Sequence, residues 1–196
     1  MILERGVDND FRLPVCRYHP LRISIITVTR NADAYLEKCI QSVADQKYPN
    51  LEYLIIDGAS TDKTSIIAKR FERSVTTFIS EPDNGLYDAM NKGIRRASGD
   101  YILFLGADDY LYDRNVIGDA VQFLTNRAND FVYGNIAVRG RDGRETIFRP
   151  PPPDEALKFM VCGCLPHQAS LPGAIFSTGS GYSTPATGFP RIMIGF

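Results

Sequence analysis

Two hydrophobic periods alternate along residues 22–105, and they predict strands and helices in turn. Short runs rich in β-branched and other apolar residues predict buried strands over 22–29, 51–57, 75–80 and 101–105. Helical spacing and stop signals predict intervening helices over 33–46, 60–71 and 85–97. Ser60 or Thr61 is the candidate N-cap of the second helix. Strands that alternate with helices predict an α/β fold, with a mainly parallel sheet flanked by helices.

The pattern changes after Tyr110. A further helix is predicted over 114–126, and the segments DFVYGNIAV and RETIF flank RGRDG, whose Asp142–Gly143 predicts a hairpin. The proline run within 149–155 predicts a connector, because proline cannot continue a central strand or a helix interior. Residues 173–190 are dense in Gly, Ser, Thr and Pro and show no periodicity.

Composition narrows the class of protein. The 196 residues suit one domain, and 22 basic against 23 acidic residues argue against a nucleic-acid partner. No apolar run approaches the roughly 20 residues of a membrane span, and the N-terminus lacks an apolar signal region. We therefore expect a cytoplasmic chain. The four cysteines favour isolated thiols over a Cys162–Cys164 redox pair.

Acidic side chains follow two of the predicted strands. Asp108 and Asp109 come directly after ILFLGA, and Asp57 ends LEYLIID, while Thr29, Arg30 and Asn31 follow the first strand. Because ligands bind outside the carboxyl ends of parallel strands, these polar clusters predict a single site. Two carboxylates there suit Mn²⁺ or Mg²⁺, which takes oxygen ligands together with substrate phosphates.

Plainer interpretations exist for the same residues. The acid pair can be a solvated turn in which Asp108 or Asp109 caps a following helix. Asp57 can belong to a turn, because DGAS is typical of turns and helix starts. Much of DNGLYDAMNKG can be a solvated helix face, although Lys92 could face a phosphate. His167 and Gln168 lie in a polar loop that could border a site.

Several ordered segments together resemble the family 2 glycosyltransferases. ISIITVTRNADAYLEKCIQSVADQKYPNLEYLIIDGASTDKT is similar to the start of that family, and SEPDNGLYDAMNKGIRRASGDYILFLGADDYLYD is similar to its next block, which ends in a DXD-type motif. VYGN and PHQAS resemble later landmarks, so the likeness covers roughly residues 22–184. Within that family, these segments most resemble the bacterial polysaccharide enzymes of the colanic-acid type. GADD stands where Asn-Ser or Asn-Ala commonly precedes the two acids.

The resemblance implies a GT-A (Rossmann-like) fold, a divalent Mn²⁺ or Mg²⁺, and inverting transfer from a nucleotide-diphosphate sugar to a hydroxyl of a saccharide or lipid-linked acceptor. Asp109 would hold the metal, and His167 and Gln168 would lie near the donor sugar or the acceptor. The residues implied in nucleotide-sugar binding are Val28, Thr29, Arg30, Asp57, Asn84, Asp88, Asn91, Lys92 and Asp108.

The C-terminal segment departs from the family pattern. The family places an acidic general base soon after the His-Gln segment, in a string such as RISADYDWL, but no Asp or Glu follows Glu155 here. The catalytic base is therefore unassigned.

The genetic code suggests a cause for this departure. Ile192-Met193-Ile194 must be encoded ATH-ATG-ATH, and reading two nucleotides on gives HAT-GAT-HGG, which permits Tyr, requires Asp and permits Trp. Extended both ways from Pro185, the shifted frame permits RYRISADYDWL. We hypothesise a frameshift near Thr184–Pro185; the alternative is a natural short paralogue. The DNA sequence of the source gene from the Thr184 codon onward decides between them.

We therefore expect an N-terminal extension over 1–21, a GT-A domain over 22–172 that is incomplete at its C-terminus, and an aberrant tail over 173–196. The expected function is sugar transfer in surface polysaccharide or glycolipid synthesis, with peripheral association at the inner face of the membrane compatible with a lipid-linked acceptor. The alternative is a non-catalytic nucleotide-sugar-binding remnant that has lost its general base. A nucleotidyltransferase is a third option.

Overall fold

A four-stranded parallel sheet carries the candidate site. A computed structural model describes residues 20–127, 131–140, 142–150, 170–172 and 192–195. The first four strands are β1 (Ile23–Thr29), β2 (Leu51–Asp57), β3 (Thr77–Ser80) and β4 (Tyr101–Phe104), in the order β3-β2-β1-β4. All of their pairings are parallel, which confirms the predicted sheet.

Helices cover both faces of this sheet. The connections contain α1 (Leu36–Ala44), α2 (Thr64–Arg70) and α3 (Leu86–Arg96). Because side chains alternate across a strand, Ile25 of β1 lies in the core cluster with α1 and α2, whereas its neighbour Ile26 lies in the cluster with α3. Burial on both faces explains why apolar residues occur at successive positions of β1, β2 and β4 instead of alternating with polar ones.

Shorter elements follow the sheet. They are β5 (Tyr110–Leu111), α4 (Val116–Arg127), β6 (Phe131–Tyr133), β7 (Asn135–Arg139), β8 (Glu145–Phe148), β9 (Ser170–Pro172) and β10 (Ile192–Gly195). A second sheet has the order β5-β10-β7-β8, and β6 pairs with β9. β7 and β8 form the predicted hairpin, in which Gly143 has a φ of +78°.

Three details of the prediction change. Helix α2 begins at Thr64, so the predicted N-cap at Ser60 or Thr61 is wrong; Lys63 takes that position without a side-chain cap. The segment DFVYGNIAV divides into two strands on either side of Gly134. β10 lies within the predicted tail over 173–196, for which no strand was predicted, and pairs with both β5 and β7.

A buried carboxylate fixes the amino ends of the strands, opposite the candidate site. Glu52, 5% exposed, accepts hydrogen bonds from Ser24 Oγ at 2.5 Å and from Ser98 N at 2.7 Å, and Arg22 lies 3.4 Å away. Burial alone would raise the pKa of Glu52, but these hydrogen bonds and the Arg22 charge lower it overall. The Glu52 contacts therefore tie β2 to β1 and to the residues that follow α3.

No helix in the described part of the chain is long and apolar enough to cross a membrane.

Candidate functional site

The polar clusters predicted at three strand ends lie at one edge of the parallel sheet. Thr29 and Asp57, the last residues of β1 and β2, are register partners, and Gly58 N donates to Thr29 O at 2.9 Å. β4 ends beside Ile26, so the loop that follows it, residues 105–109, leaves the sheet at the same edge. The parallel topology thus brings these clusters together, as the sequence predicts.

Asp57 is fully buried and is surrounded by donors from its own protein. Ser80 Oγ donates to Asp57 Oδ2 at 2.6 Å, and Ser60 N and Ser65 Oγ donate to the same oxygen at 3.1 and 3.2 Å. Ser60 Oγ donates to Asp57 Oδ1. Three of these donors share Oδ2 and one reaches Oδ1, so Oδ1 keeps one acceptor position. Ser60 does not cap α2 because its hydroxyl donates to Asp57 instead.

A second carboxylate, that of Asp83, lies over the end of β2. A side chain at position 58 would collide with Asp83 Oδ2, and the same space lies 3.5 Å from Arg30 Cδ. Asp83 Oδ1 accepts a hydrogen bond from Gly85 N at 3.0 Å. Glycine at position 58 therefore makes room for the Asp83 carboxylate, and it places that group beside Arg30.

The acid pair after β4 folds back on its own loop. Asp109 N donates to Gly106 O at 3.0 Å, and a Cβ at Gly106 would lie 2.8 Å from Asp109 Oδ2 and 3.1 Å from Asp108 Oδ1. Both carboxylates thus approach the backbone of Gly106. Asp109 is 5% exposed whereas Asp108 is exposed. β5 follows directly, so the interpretation of these acids as caps of a following helix is wrong.

A buried polar cluster supports this acidic loop from below. Cys39 Sγ donates to Gly106 O at 3.4 Å and lies 3.7 Å from Tyr53 Oη, which is 3.0 Å from Thr27 Oγ1. Burial raises the pKa of the Cys39 thiol to about 12, and the charges of Asp109 and Asp108 add to that effect. Cys39 is therefore a neutral structural donor beneath the loop.

The residues between β3 and α3 are held by ion pairs. Lys92 Nζ donates to Pro82 O at 2.7 Å and lies 3.1 Å from Glu81 Oε1, while Asn84 N donates to Asp88 Oδ2 at 3.0 Å. The Asn84 backbone N–H and the Lys92 charge lower the pKa of Asp88. In this structure Lys92 and Asp88 fix the loop that presents Asp83; their contact with a nucleotide sugar stays a prediction.

The remaining predicted residues differ in their surroundings. Val28 is half-buried and packs with the α3 cluster, Asn91 is half-buried, and Arg30 and Asn84 are exposed. Thr29 is 7% exposed, and its Oγ1 has no hydrogen-bond partner among the described residues, so this buried hydroxyl could bond to a ligand at this edge. His167 and Gln168 lie outside the described residues.

The acid pair fits a hard divalent cation. Asp108 and Asp109 provide carboxylate oxygens on one side of Gly106, and Mg²⁺ or Mn²⁺ is commonly held by one or two carboxylates together with substrate phosphates. Among the described residues no group of three or more potential ligands is assembled, so phosphate oxygens would have to complete the coordination.

Sequence reasoning did not find the partners of Asp57, and it did not assign Asp83 to the site. Ser80 could have been found as the register partner of Asp57 on the neighbouring strand. The glycine at position 58 was the available signal for Asp83, because it leaves the space that this carboxylate enters.

Comparison with known proteins identifies the family. The model of glycosyl transferase family 2 matches residues 24–170, more than half of the chain. The chain belongs to this family. A PGL/p-HBAD biosynthesis glycosyltransferase of Mycobacterium bovis is 38% identical over 125 residues, which is 62% of this chain and 49% of that protein. The putative teichuronic acid biosynthesis glycosyltransferase TuaG of Bacillus subtilis is 31% identical over 151 residues, 73% of this chain and 60% of TuaG. The chain thus spans about half to three fifths of the length of these relatives.

Solved structures share the GT-A fold. TarS residues 1–349 of S. aureus in complex with UDP-GlcNAc superposes with a TM-score of 0.57 at 24% identity, covering 64% of this chain and 37% of that one. The mannosyltransferase PcManGT of Pyrobaculum calidifontis, in complex with GDP-Man and Mn²⁺, superposes with a TM-score of 0.57 at 20% identity, covering 90% of this chain and 57% of that one. The parallel sheet flanked by helices is thus the GT-A architecture.

Proposed function

We propose that this family 2 chain binds a nucleotide-diphosphate sugar at the carboxyl edge of its parallel sheet and transfers the sugar to an acceptor hydroxyl with inversion at the anomeric carbon. The acid pair carries the proposal, because Asp108 and Asp109 converge on Gly106 at the edge where Thr29 Oγ1 has no hydrogen-bond partner in the described part of the chain. That edge is where parallel α/β sheets bind their ligands. An exposed cation, Arg30, extends the same edge.

The reaction needs groups that position the donor and stabilise the leaving group. The acceptor oxygen forms a bond to the anomeric carbon as the bond from that carbon to the diphosphate oxygen breaks, and the electron pair leaves with the diphosphate. Asp109, with Asp108, would hold the Mn²⁺ or Mg²⁺, and the bound metal would supply positive charge to the diphosphate leaving group. Thr29 and Arg30 would line the nucleobase pocket and fix the nucleotide. The hydroxyl proton passes to a base that is not assigned in this chain.

The relatives suggest the biological setting. Two of them are named for PGL/p-HBAD biosynthesis and teichuronic acid biosynthesis, and the TarS and PcManGT structures hold a UDP-sugar and a GDP-sugar. We infer a role in surface polysaccharide or glycolipid synthesis. The acceptor would be a saccharide or a lipid-linked sugar. The chain would bind it on the cytoplasmic side and would contact the membrane peripherally through a lipid-linked acceptor.

A donor panel tests this function. The purified chain is incubated with UDP- and GDP-sugars, Mn²⁺ or Mg²⁺, and simple glycoside or polyprenyl-phosphate sugar acceptors, and release of nucleoside diphosphate is measured. NMR of the product gives its anomeric configuration. Metal-dependent release with an inverted product supports the proposal, whereas retention of configuration contradicts inversion.

One observation favours the second candidate, a donor-binding remnant without transferase activity. No Asp or Glu follows Glu155, the region in which the family pattern places its general base. Loss of a general base typically costs on the order of 10²–10⁴ in rate. Donor binding without acceptor-dependent release in the same assay identifies the remnant.

A further inference from the structure

We propose that Cys39 and Ser42 on α1 are positioning residues that hold the acid pair, Asp108 and Asp109, in the conformation that binds the metal. This inference rests on the proposed metal-dependent donor binding and deepens it, because it assigns the geometry of the metal site to side chains that act through the acid loop. The contacts that α1 makes on both sides of the acid pair carry it.

A hydrogen bond from Cys39 fixes the loop before the acid pair. Cys39 is 0% exposed, and its Sγ donates to Gly106 O at 3.4 Å. The same carbonyl accepts a hydrogen bond from Asp109 N at 3.0 Å, so it joins the helix to the turn that contains both acids. Both carboxylates lean on this glycine, since a Cβ there would lie 2.8 Å from Asp109 Oδ2 and 3.1 Å from Asp108 Oδ1. A shift of the Gly106 backbone would therefore change the support of both carboxylates.

Other contacts from α1 fix the chain after the acid pair. Ser42 Oγ accepts a hydrogen bond from Leu111 N at 3.0 Å and donates to Cys39 O at 2.7 Å. Tyr110 follows the acid pair directly, and Lys38 Nζ lies 3.6 Å from the centroid of its ring in a cation–π contact. The chain is thus attached to α1 both before and after the two acids.

The spacing of these side chains separates the acid loop from the residues beyond it. Helix positions three or four apart lie on one face, so Cys39 and Ser42 form a stripe along α1. Gln46 continues the stripe just after the helix, where its Nε2 donates to Asp113 O at 2.6 Å and its Oε1 accepts from Ile117 N at 3.2 Å. Gln46 therefore holds the chain beyond β5, whereas Cys39 and Ser42 hold the acid loop.

Support of the loop should govern the affinity for the metal. Two neighbouring carboxylates repel each other in the absence of a cation, so a loop without fixed ends would let them separate. The apparent affinity of a ligand falls by the fraction of molecules that has the binding conformation. Loss of one hydrogen bond should lower this fraction enough to weaken metal binding about 3- to 10-fold.

Three single variants test the role of the stripe. Ser42→Ala removes the half-buried hydroxyl, and Cys39→Ala removes the buried thiol. Gln46→Ala is the matched control, because it also removes side-chain hydrogen bonds from the stripe but leaves the contacts with the acid loop in place. If Cys39→Ala does not fold, Ser42→Ala still provides the test.

Equilibrium dialysis of labelled UDP or GDP over a series of Mn²⁺ concentrations measures the effect. The Mn²⁺ concentration that gives half of the maximal nucleotide binding should rise about 3- to 10-fold in Ser42→Ala and in Cys39→Ala, and Gln46→Ala should keep the wild-type value. In an Asp109→Asn background, Ser42→Ala should cause no further shift, because residues that act through the same group are not additive.

Three results overturn the inference. A wild-type Mn²⁺ requirement in Ser42→Ala shows that its hydroxyl does not position the acids. An equal shift in Gln46→Ala assigns the effect to general loosening of α1. A full additional shift by Ser42→Ala in the Asp109→Asn background shows that Ser42 acts elsewhere. Absence of any nucleotide binding by the wild type with Mn²⁺ or Mg²⁺ refutes the proposed function itself, so the two failures are distinguishable.

Discussion

Ser80 and Asp57 face each other as register partners on β3 and β2, and the Ser80 hydroxyl donates a 2.6 Å hydrogen bond to Asp57 Oδ2. This contact joins the edge strand of the sheet to the buried carboxylate that also holds Ser60 and Ser65. The edge at which the donor is proposed to bind is thus organised by a serine cluster around one acid.

Replacing Asp57 should destabilise the fold as well as the site. Asp57→Asn exchanges one acceptor oxygen for a donor that faces serine hydroxyls, and loss of hydrogen bonds to a buried charge should lower the free energy of unfolding by ~2 kcal/mol. Urea denaturation measures this change. Asp142→Asn on the exposed hairpin should stay within ~0.5 kcal/mol of the wild type. Equal stability of both variants would show that the serine cluster does not hold the loop.

Gly93 lets α3 approach the sheet closely. A Cβ there would lie 2.5 Å from Ile26 Cγ2 and 3.5 Å from Ile56 Cγ1. Overpacking costs ~1–3 kcal/mol, which outweighs the ~1 kcal/mol that alanine gains in a helix, so Gly93→Ala should lower stability.

Gly118→Ala in α4 is the matched control for Gly93→Ala. Nothing lies within 4 Å of a Cβ at Gly118, and the substitution should stabilise by ~0.5–1 kcal/mol. Thermal melts of the two variants should therefore shift in opposite directions. A stabilised Gly93→Ala would mean that α3 lies farther from β1 than described.

Glu52 should make stability depend on acidic pH. Its folded pKa is lowered, because hydrogen bonds from Ser24 and Ser98 and the Arg22 charge outweigh burial, so its contribution is present above the unfolded pKa. That contribution is lost as the pH falls through the folded pKa. Glu52→Gln should be ~1–3 kcal/mol less stable at pH 7, and the difference should narrow toward pH 3. A difference that stays constant from pH 7 to pH 3 would contradict this role.

The Tyr53 hydroxyl should stabilise the cluster beneath the acidic loop. Tyr53→Phe removes the 3.0 Å contact with Thr27 Oγ1 and leaves a buried hydroxyl with a weaker partner, which should cost ~1–2 kcal/mol in chemical denaturation. Tyr112→Phe is the control, because Tyr112 is 51% exposed and makes no hydrogen bond in the described part of the chain. A loss of equal size in both variants would indicate a general effect of the substitution.

The first half of the fold follows from local pattern. Burial on both faces forces long apolar strands, so the bounds of β2 are those predicted and those of β1 differ by one residue. Strands of two to four residues such as β5, β9 and β10 carry too little periodicity to predict, and they pair with segments far away in the chain. Helix α2 starts late because the Ser60 hydroxyl donates to Asp57 and accepts from Asn31 N, and the second contact comes from a distant loop that helix propensity does not include.

The site was predictable in outline for a related reason. Parallel strands place their ends together, so Thr29, Asp57 and the acid pair could be assigned to one edge from sequence alone. The hydrogen bonds of Asp57 and the position of Asp83 over Gly58 could not, because they depend on residues from separate segments. The resemblance to the family implied a role for Asp57, whereas only the structure places Asp83 at the same edge.

The central claim is that the edge carrying Asp108 and Asp109 binds a nucleoside diphosphate together with a divalent metal. The most direct measurement is the Kd of UDP and GDP, with Mn²⁺ and with EDTA, for the wild type and Asp109→Asn; circular dichroism verifies that the variant is folded. The account predicts binding that needs the metal in the wild type and is weakened at least tenfold in the variant. Tight binding in EDTA, or an Asp109→Asn variant that keeps the full metal-dependent affinity, would contradict it.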